Sequence, residues 1–208
     1  MTHTLKVTVH QADHLEDVER FGKNDPYAQV AVNLKSKFVK TKVVKNAGKE
    51  AAWNQTLDIL EYNPQEHDKL YVDILDEETG FDEPIAFVTI PLHTVLAAPG
   101  HVLRGRFGLY TVGGKQKGEI VLTIAVVAPG QTEAHHPTGE VQGISELNSE
   151  HQAHIKSLKR KESAGDAGTA ALLIGAALGA KALHDASKDK AKVQHDAQEK
   201  AKAENREF

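Results

Sequence analysis

An all-β fold is predicted for residues 1–130, an eight-stranded antiparallel β-sandwich, with an α-helical or partly disordered tail after it. Three observations predict it. Apolar and polar residues alternate in short runs, the period of a strand with one buried face. Turn residues separate the runs, and no helical period occurs before residue 130. The composition then changes near Gly130, where aromatic and β-branched runs give way to Ala, Lys, Glu, Gln and His, and Phe208 is the only aromatic residue beyond it. A chain of 208 residues accommodates one domain of ordinary size plus such an extension.

Leu5, Val7 and Val9 alternate with Lys6, Thr8 and His10 and open the sandwich. Strands are then expected at Tyr27–Val32, Phe38–Val44, Trp53–Leu60 and Leu70–Leu75. Three more follow at Ile85–Ile90, Gly105–Tyr110 and Gly118–Val127, and His93–Ala97 reads as one helical turn. Phe87 and Phe107 are assigned to the core.

Composition limits the chemistry. There is no cysteine, so neither disulfides nor thiolates contribute, which suits a reducing cytosol. The first residues lack the basic start and apolar core of a signal peptide. A formal charge of −4 leaves electrostatic targeting to local patches. No nucleophile motif, phosphate-binding glycine loop or Ser/His/Asp arrangement is present, so a non-enzymatic protein is expected.

Three features carry a family likeness. They are Asn24-Asp25-Pro26-Tyr27 after the first strand, the pair Trp53-Asn54, and the acidic stretch from Asp76 to Glu83. In this order and spacing the chain resembles a C2 domain, a sandwich that docks on phospholipid head groups, often through calcium. The resemblance covers about residues 1–128 and implies the type II topology, with both ends of the sandwich opposite the calcium-type loops. A tail leaving there would not block the binding end.

Calcium takes six to eight oxygen ligands, so carboxylates must converge from separate loops. The resemblance puts Asp25 and Glu19 at ligand positions of the first loop, and Asp76, Glu78 and Asp82 or Glu83 at those of the third. Glutamate stands where the family prefers aspartate, and its longer side chain weakens a site without excluding it. The other reading is that these acids are solvated and Asp25 is a turn residue. Phe21 and Phe81 fall near the tips of the same loops, suited either to insertion below head groups or to packing on each other.

Lys35, Lys37, Lys40, Lys42, Lys45 and Lys49 fall together with no acid before Glu50. Such a cluster attracts anionic lipid, at about 1 kcal/mol per lysine near the surface. The resemblance adds Tyr27, Trp53 and Asn54 to Lys35, Lys37, Lys40 and Lys42 as lipid-binding positions. The alternative is that the lysines guard exposed strands against edge pairing. No aromatic platform is interleaved with them, so nucleic acid is not an expected partner.

After Pro129-Gly130, residues 131–143 read as linker and 144–208 as a helical or disordered tail. Ile144, Leu147, Ile155 and Leu158 recur at helical spacing and lead to Lys159-Arg160-Lys161. With so few large apolar residues, a frayed, solvated helix is expected there, and His135, His136, His151 and His154 read as solvated rather than metal-binding. A glycine-containing apolar helix is expected at 167–183. Its uncharged run of fourteen residues is short of the roughly 20 that span a bilayer, and Gly175 and Gly179 permit close helix approach. That helix is the candidate for homo-oligomerisation or a helical partner. The functional expectation is a cytoplasmic, peripheral membrane-binding module for anionic phospholipid with Ca2+ as its cofactor. The alternative is a soluble protein–protein scaffold that binds neither.

Overall fold

A computed structural model describes residues 2–19, 21–131, 136–137 and 139–160. The expectations for the helix at 167–183 and for the tail beyond residue 160 lie outside the described residues.

The expected strands are present as β1 (His3–Asp13), β2 (Pro26–Ala31), β3 (Val39–Lys40), β4 (Ala51–Tyr62), β5 (Lys69–Asp76), β6 (Glu83–Pro91), β7 (Val102–Tyr110) and β8 (Gln116–Val127). The expected helical turn is α1 (His93–Ala97). Hydrogen bonding runs in the order β3-β2-β5-β6-β7-β8-β1-β4. The β6–β7 step is a single bridge between Phe87 and Tyr110, so two four-stranded sheets face each other. Leu5, Val7 and Val9 of β1 meet Val72 and Ile74 of β5 and Val88 and Ile90 of β6 in one buried core. Each such side chain contributes on the order of 1.5–3 kcal/mol by leaving water.

The third strand is shorter than its sequence suggests. The Thr41 hydroxyl accepts the Ala28 amide at 3.0 Å, where a strand carbonyl would otherwise stand. The Thr41 and Val44 amides still reach the Ala28 and Pro26 carbonyls at 2.8 and 3.0 Å. Residues 41–44 therefore follow β2 irregularly.

Registers fix the two ends of the sandwich. Thr4 lies opposite Val127 at one end. At the other, Pro26 faces Asp76 and Asp76 faces Glu83, so a single row crosses β2, β5 and β6. The ends of the sandwich chain thus lie opposite the acidic loops, as the resemblance implied.

The segment after β8 departs from expectation. β5 and β6 are buried at every position after their first residue, which a two-sheet sandwich alone cannot produce. The cover is a helix over residues 149–160, named α2. Residues 131–143, expected as linker, contain β9 (Glu140–Gln142), which runs parallel to Arg104–Arg106 of β7. Glu140 pairs with Arg104 and Arg106 at 3.2 and 3.4 Å. Gly143 then passes so close over Phe107 that a Cβ there would sit 2.2 Å from the ring, which only glycine tolerates.

Asn148 starts α2 by accepting the His151 amide on its side chain at 2.9 Å, the N-cap arrangement. The helix is neither frayed nor solvated on its inner face. His151 and Ile155, one turn apart, are fully buried. His151 Nε2 lies 2.6 Å from Asp73 Oδ1 and its Nδ1 lies 2.9 Å from Thr89 Oγ1. Gln29 donates to the other Asp73 oxygen at 2.9 Å. The solvated reading of His151 is therefore corrected, because its ring shields a carboxylate that could not be buried unpaired. His154 stacks on Phe38 at 5.6 Å. Phe87 is buried as expected, but beneath α2, edge-on to His151 at 4.9 Å, rather than in the cluster between the sheets.

Candidate cation and membrane-docking site

The acidic loops converge because of the row through Pro26, Asp76 and Glu83. Asn24 shapes the first loop. Its buried side chain accepts the Val18 amide at 3.1 Å and donates to the carbonyls of Glu16 and Gly48 at 2.7 and 3.2 Å. This brings Glu19 over Asp76. Ligand oxygens of Glu19, Asp76 and Glu78 all lie within 4.8 Å of one another.

Asp76 is fully buried, and its Oδ1 accepts the Asp25 amide at 2.5 Å. Its Oδ2 is buried with no hydrogen-bond partner among the described residues. Burial, opposed by the Asp25 N–H and reinforced by the charges of Glu19, Asp25 and Glu83, pushes its pKa up to about 6. Glu78 is also raised, by desolvation and by a hydrogen bond shared with Glu19. An orphaned carboxylate oxygen between two further carboxylates suits a hard cation that takes oxygen ligands. The residues present fit calcium.

The other expected ligands are engaged elsewhere. Asp25 accepts the Asn46 amide at 2.6 Å and the Lys45 ammonium at 2.9 Å, and these bonds lower its pKa. Lys45 also reaches Glu77 at 2.7 Å, and its two carboxylates raise its pKa, that of Glu77 most. Asp82 accepts the Glu78 amide at 3.1 Å and the Tyr27 hydroxyl at 2.7 Å. Glu83 pairs with Lys159 of α2. Sequence reasoning placed Lys45 only in a basic cluster and gave Asn24 and Lys159 no role at this site. The sole hint was that Lys45 follows the other lysines into the loop beside Asp25.

Phe21 is 92% exposed and Phe81 54%, on the two loops that flank the carboxylates. The lysines do not form one patch. Lys35 and Lys37 lie in the β2–β3 turn, at the end opposite the acidic loops. Lys40 and Lys42 are exposed nearer the loops.

One expected lipid contact is corrected. Tyr27 is 4% exposed, with its hydroxyl on Asp82 and the Lys40 ammonium 4.9 Å above its ring. Burial foremost, and then Asp82, raise the pKa of that phenol. Trp53 and Asn54 form a bulge against β1, where the pairing steps from Val9–Gln55 to Gln11–Ala52. Asn54 takes φ 45° there, a region asparagine tolerates. Trp53 packs partly against the core, its indole donating to the Pro26 carbonyl at 3.3 Å, and stays partly exposed. Asn54 remains exposed.

Comparison with known proteins identifies the fold and the family. A family model described as C2 domain matches residues 3–109. The chain belongs to the C2 domain family. A calcium-dependent lipid-binding protein of Arabidopsis thaliana is 28% identical over 184 residues, covering 85% of this chain and 34% of that protein. A protein SRC2 homolog of the same plant is 28% identical over 98 residues, covering 45% of this chain and 30% of its own length. This C2 chain thus spans about a third of the length of the curated relatives it matches. The first match is too long to be confined to the sandwich, which ends at Val127. Among solved structures, a C2 domain of plant extended synaptotagmin 1 superposes with a TM-score of 0.52 at 20% identity, covering 64% of this chain and 98% of that one. A fragment of extended synaptotagmin 2, with its SMP domain and a pair of C2 domains, gives 0.51 at 20% identity, covering 61% and 28%. These two share the C2 sandwich. Among the described residues no helix is long and apolar enough to cross a membrane.

Proposed function

We propose that this C2 chain is a non-enzymatic, peripheral membrane-binding module that docks its acidic-loop end on anionic phospholipid in a calcium-dependent way. One observation carries the reading: Phe21 and Phe81 stand exposed on two loops that flank the Glu19, Asp76 and Glu78 carboxylates. Exposed rings at loop tips favour burial below head groups, while unneutralised carboxylates beside them oppose approach to an anionic surface. Bound calcium would supply the missing positive charge. Glu19, Asp76 and Glu78 would hold it, and Lys40 and Lys42 would face the head groups. The name of the Arabidopsis relative agrees with this assignment. From its sequence, the run at 167–183 is proposed to carry self-association or a helical partner.

The test is co-sedimentation of the full chain with phosphatidylserine and phosphoinositide liposomes, in calcium and in chelator, with neutral liposomes as control. Binding that requires calcium is the expected result. Equal binding in chelator would transfer targeting to the lysines. No binding in either would leave a protein–protein scaffold as the better account.

A further inference from the structure

Two lysines occupy carboxylates at the rim of the cation site, and they come from different parts of the chain. Lys45, from the β3–β4 connection, bridges Asp25 and Glu77 at 2.9 and 2.7 Å. Lys159, from the last turn of α2, pairs with Glu83, the first residue of β6 and the cross-strand neighbour of Asp76. Bound through one oxygen each, Glu19, Asp76 and Glu78 supply fewer than the six to eight that calcium takes, so water, backbone carbonyls or neighbouring carboxylates complete the set. The neighbouring carboxylates are Asp25 and Glu83, and each is held by an ammonium group.

We propose that Lys45 and Lys159 are tethered counter-ions that compete with a divalent cation for the acidic loops, and that Lys159 thereby links cation binding to the docking of α2. The proposal rests on the calcium reading above and adds to it what sets the affinity and what responds. Both lysines are partly exposed, so each pair is weak enough to exchange. Linkage is reciprocal: if docking of α2 weakens cation binding through Lys159, cation binding weakens docking by the same factor. The other contacts of α2, through His151 and Ile155, limit the response to loosening rather than release.

The experiment is calcium titration by isothermal calorimetry of the full chain and of Lys45→Met, Lys45→Arg and Lys159→Met, near neutral pH and at low salt. Thermal melts confirm that each is folded. Methionine keeps the stem and removes the charge, and arginine keeps the charge. Each methionine variant is expected to bind calcium roughly twofold to fivefold more tightly, with arginine staying near the parent. Hydrogen exchange supplies the second readout. Calcium should speed exchange of the α2 amides in the parent and leave them unchanged in Lys159→Met. Calcium binding by all four proteins with equal affinity would overturn the competition while leaving the calcium reading intact. Absence of calcium binding in every protein would remove the site itself, and the proposal with it.

Discussion

His151→Ala tests whether α2 is held by its pairing with Asp73. In the native protein both residues are fully buried, with Nε2 at 2.6 Å from the carboxylate and Nδ1 at 2.9 Å from Thr89. Removing the ring leaves one Asp73 oxygen and the Thr89 hydroxyl without that partner under the helix, while Gln29 still serves the other oxygen. Deleting one member of a buried pair costs about 3–5 kcal/mol when the remaining charge stays buried. Here the loss has a ceiling, because α2 can lift and let water reach Asp73. A cost of about 3 kcal/mol would raise the population of the lifted state roughly 100-fold.

Hydrogen exchange read by mass spectrometry separates this from global destabilisation. Amides of residues 149–160 should lose protection, while those of β1, β5 and β8 keep most of theirs. The paired change of Asp73 and His151 to leucine should restore much of the protection, since replacing a buried polar pair with apolar groups is often nearly neutral. Protection of α2 in His151→Ala equal to that of the parent would refute the reasoning, and helix docking would then rest on apolar contacts such as Ile155.

Asp76→Asn should stabilise the calcium-free protein by on the order of 2 kcal/mol near neutral pH, read by thermal unfolding, and should abolish calcium binding. Because the folded-state pKa of Asp76 is raised to about 6, its favourable contribution is complete in acid and is lost as pH rises through that value. The stability gap between variant and parent should therefore widen with pH up to about 6 and then level, while calcium affinity falls below it. Phe21→Ala and Phe81→Ala should each weaken liposome binding by roughly tenfold or more without lowering the melting temperature, the ceiling being about 1.5–3 kcal/mol per fully inserted ring. Lys40→Gln with Lys42→Gln should weaken binding and flatten its salt dependence, whereas Lys35→Gln with Lys37→Gln should change little, because that turn lies at the other end of the sandwich.

The sandwich was legible because its signal is local. Alternation along Leu5–Val9 and Leu70–Leu75 is read one strand at a time, and the row through Pro26, Asp76 and Glu83 follows once the pairing is known. The acidic loops were legible as a set but not as individuals. Sequence proximity cannot tell that Lys45 takes Asp25, or that Asp82 accepts the Tyr27 hydroxyl. Trp53 and Asn54 marked the family correctly, yet a bulge packs the indole partly against the core, and bulges are set by cross-strand register rather than by local pattern. The docking of α2 was the least legible feature. Its buried face uses His151 and a single Ile155 where a sequence reader looks for leucines, and the acceptor Asp73 alternates in β5 as if it faced water.

The position of α2 changes which surfaces of the sandwich can serve. The outer face over β5 and β6 is closed, while the acidic-loop end and the flank at β3 and β4 stay open to solvent with Lys40, Lys42 and Lys45 exposed. β8 carries the chain to the far end at Val127, but β9 and α2 bring it back until Lys159 reaches Glu83. Arg160, from which the rest of the chain continues, therefore lies beside the acidic loops and not at the end opposite them. A cation that frees Glu83 from Lys159 would act on the last turn of α2. Neutralising the loops and loosening that turn would then be two consequences of one binding event.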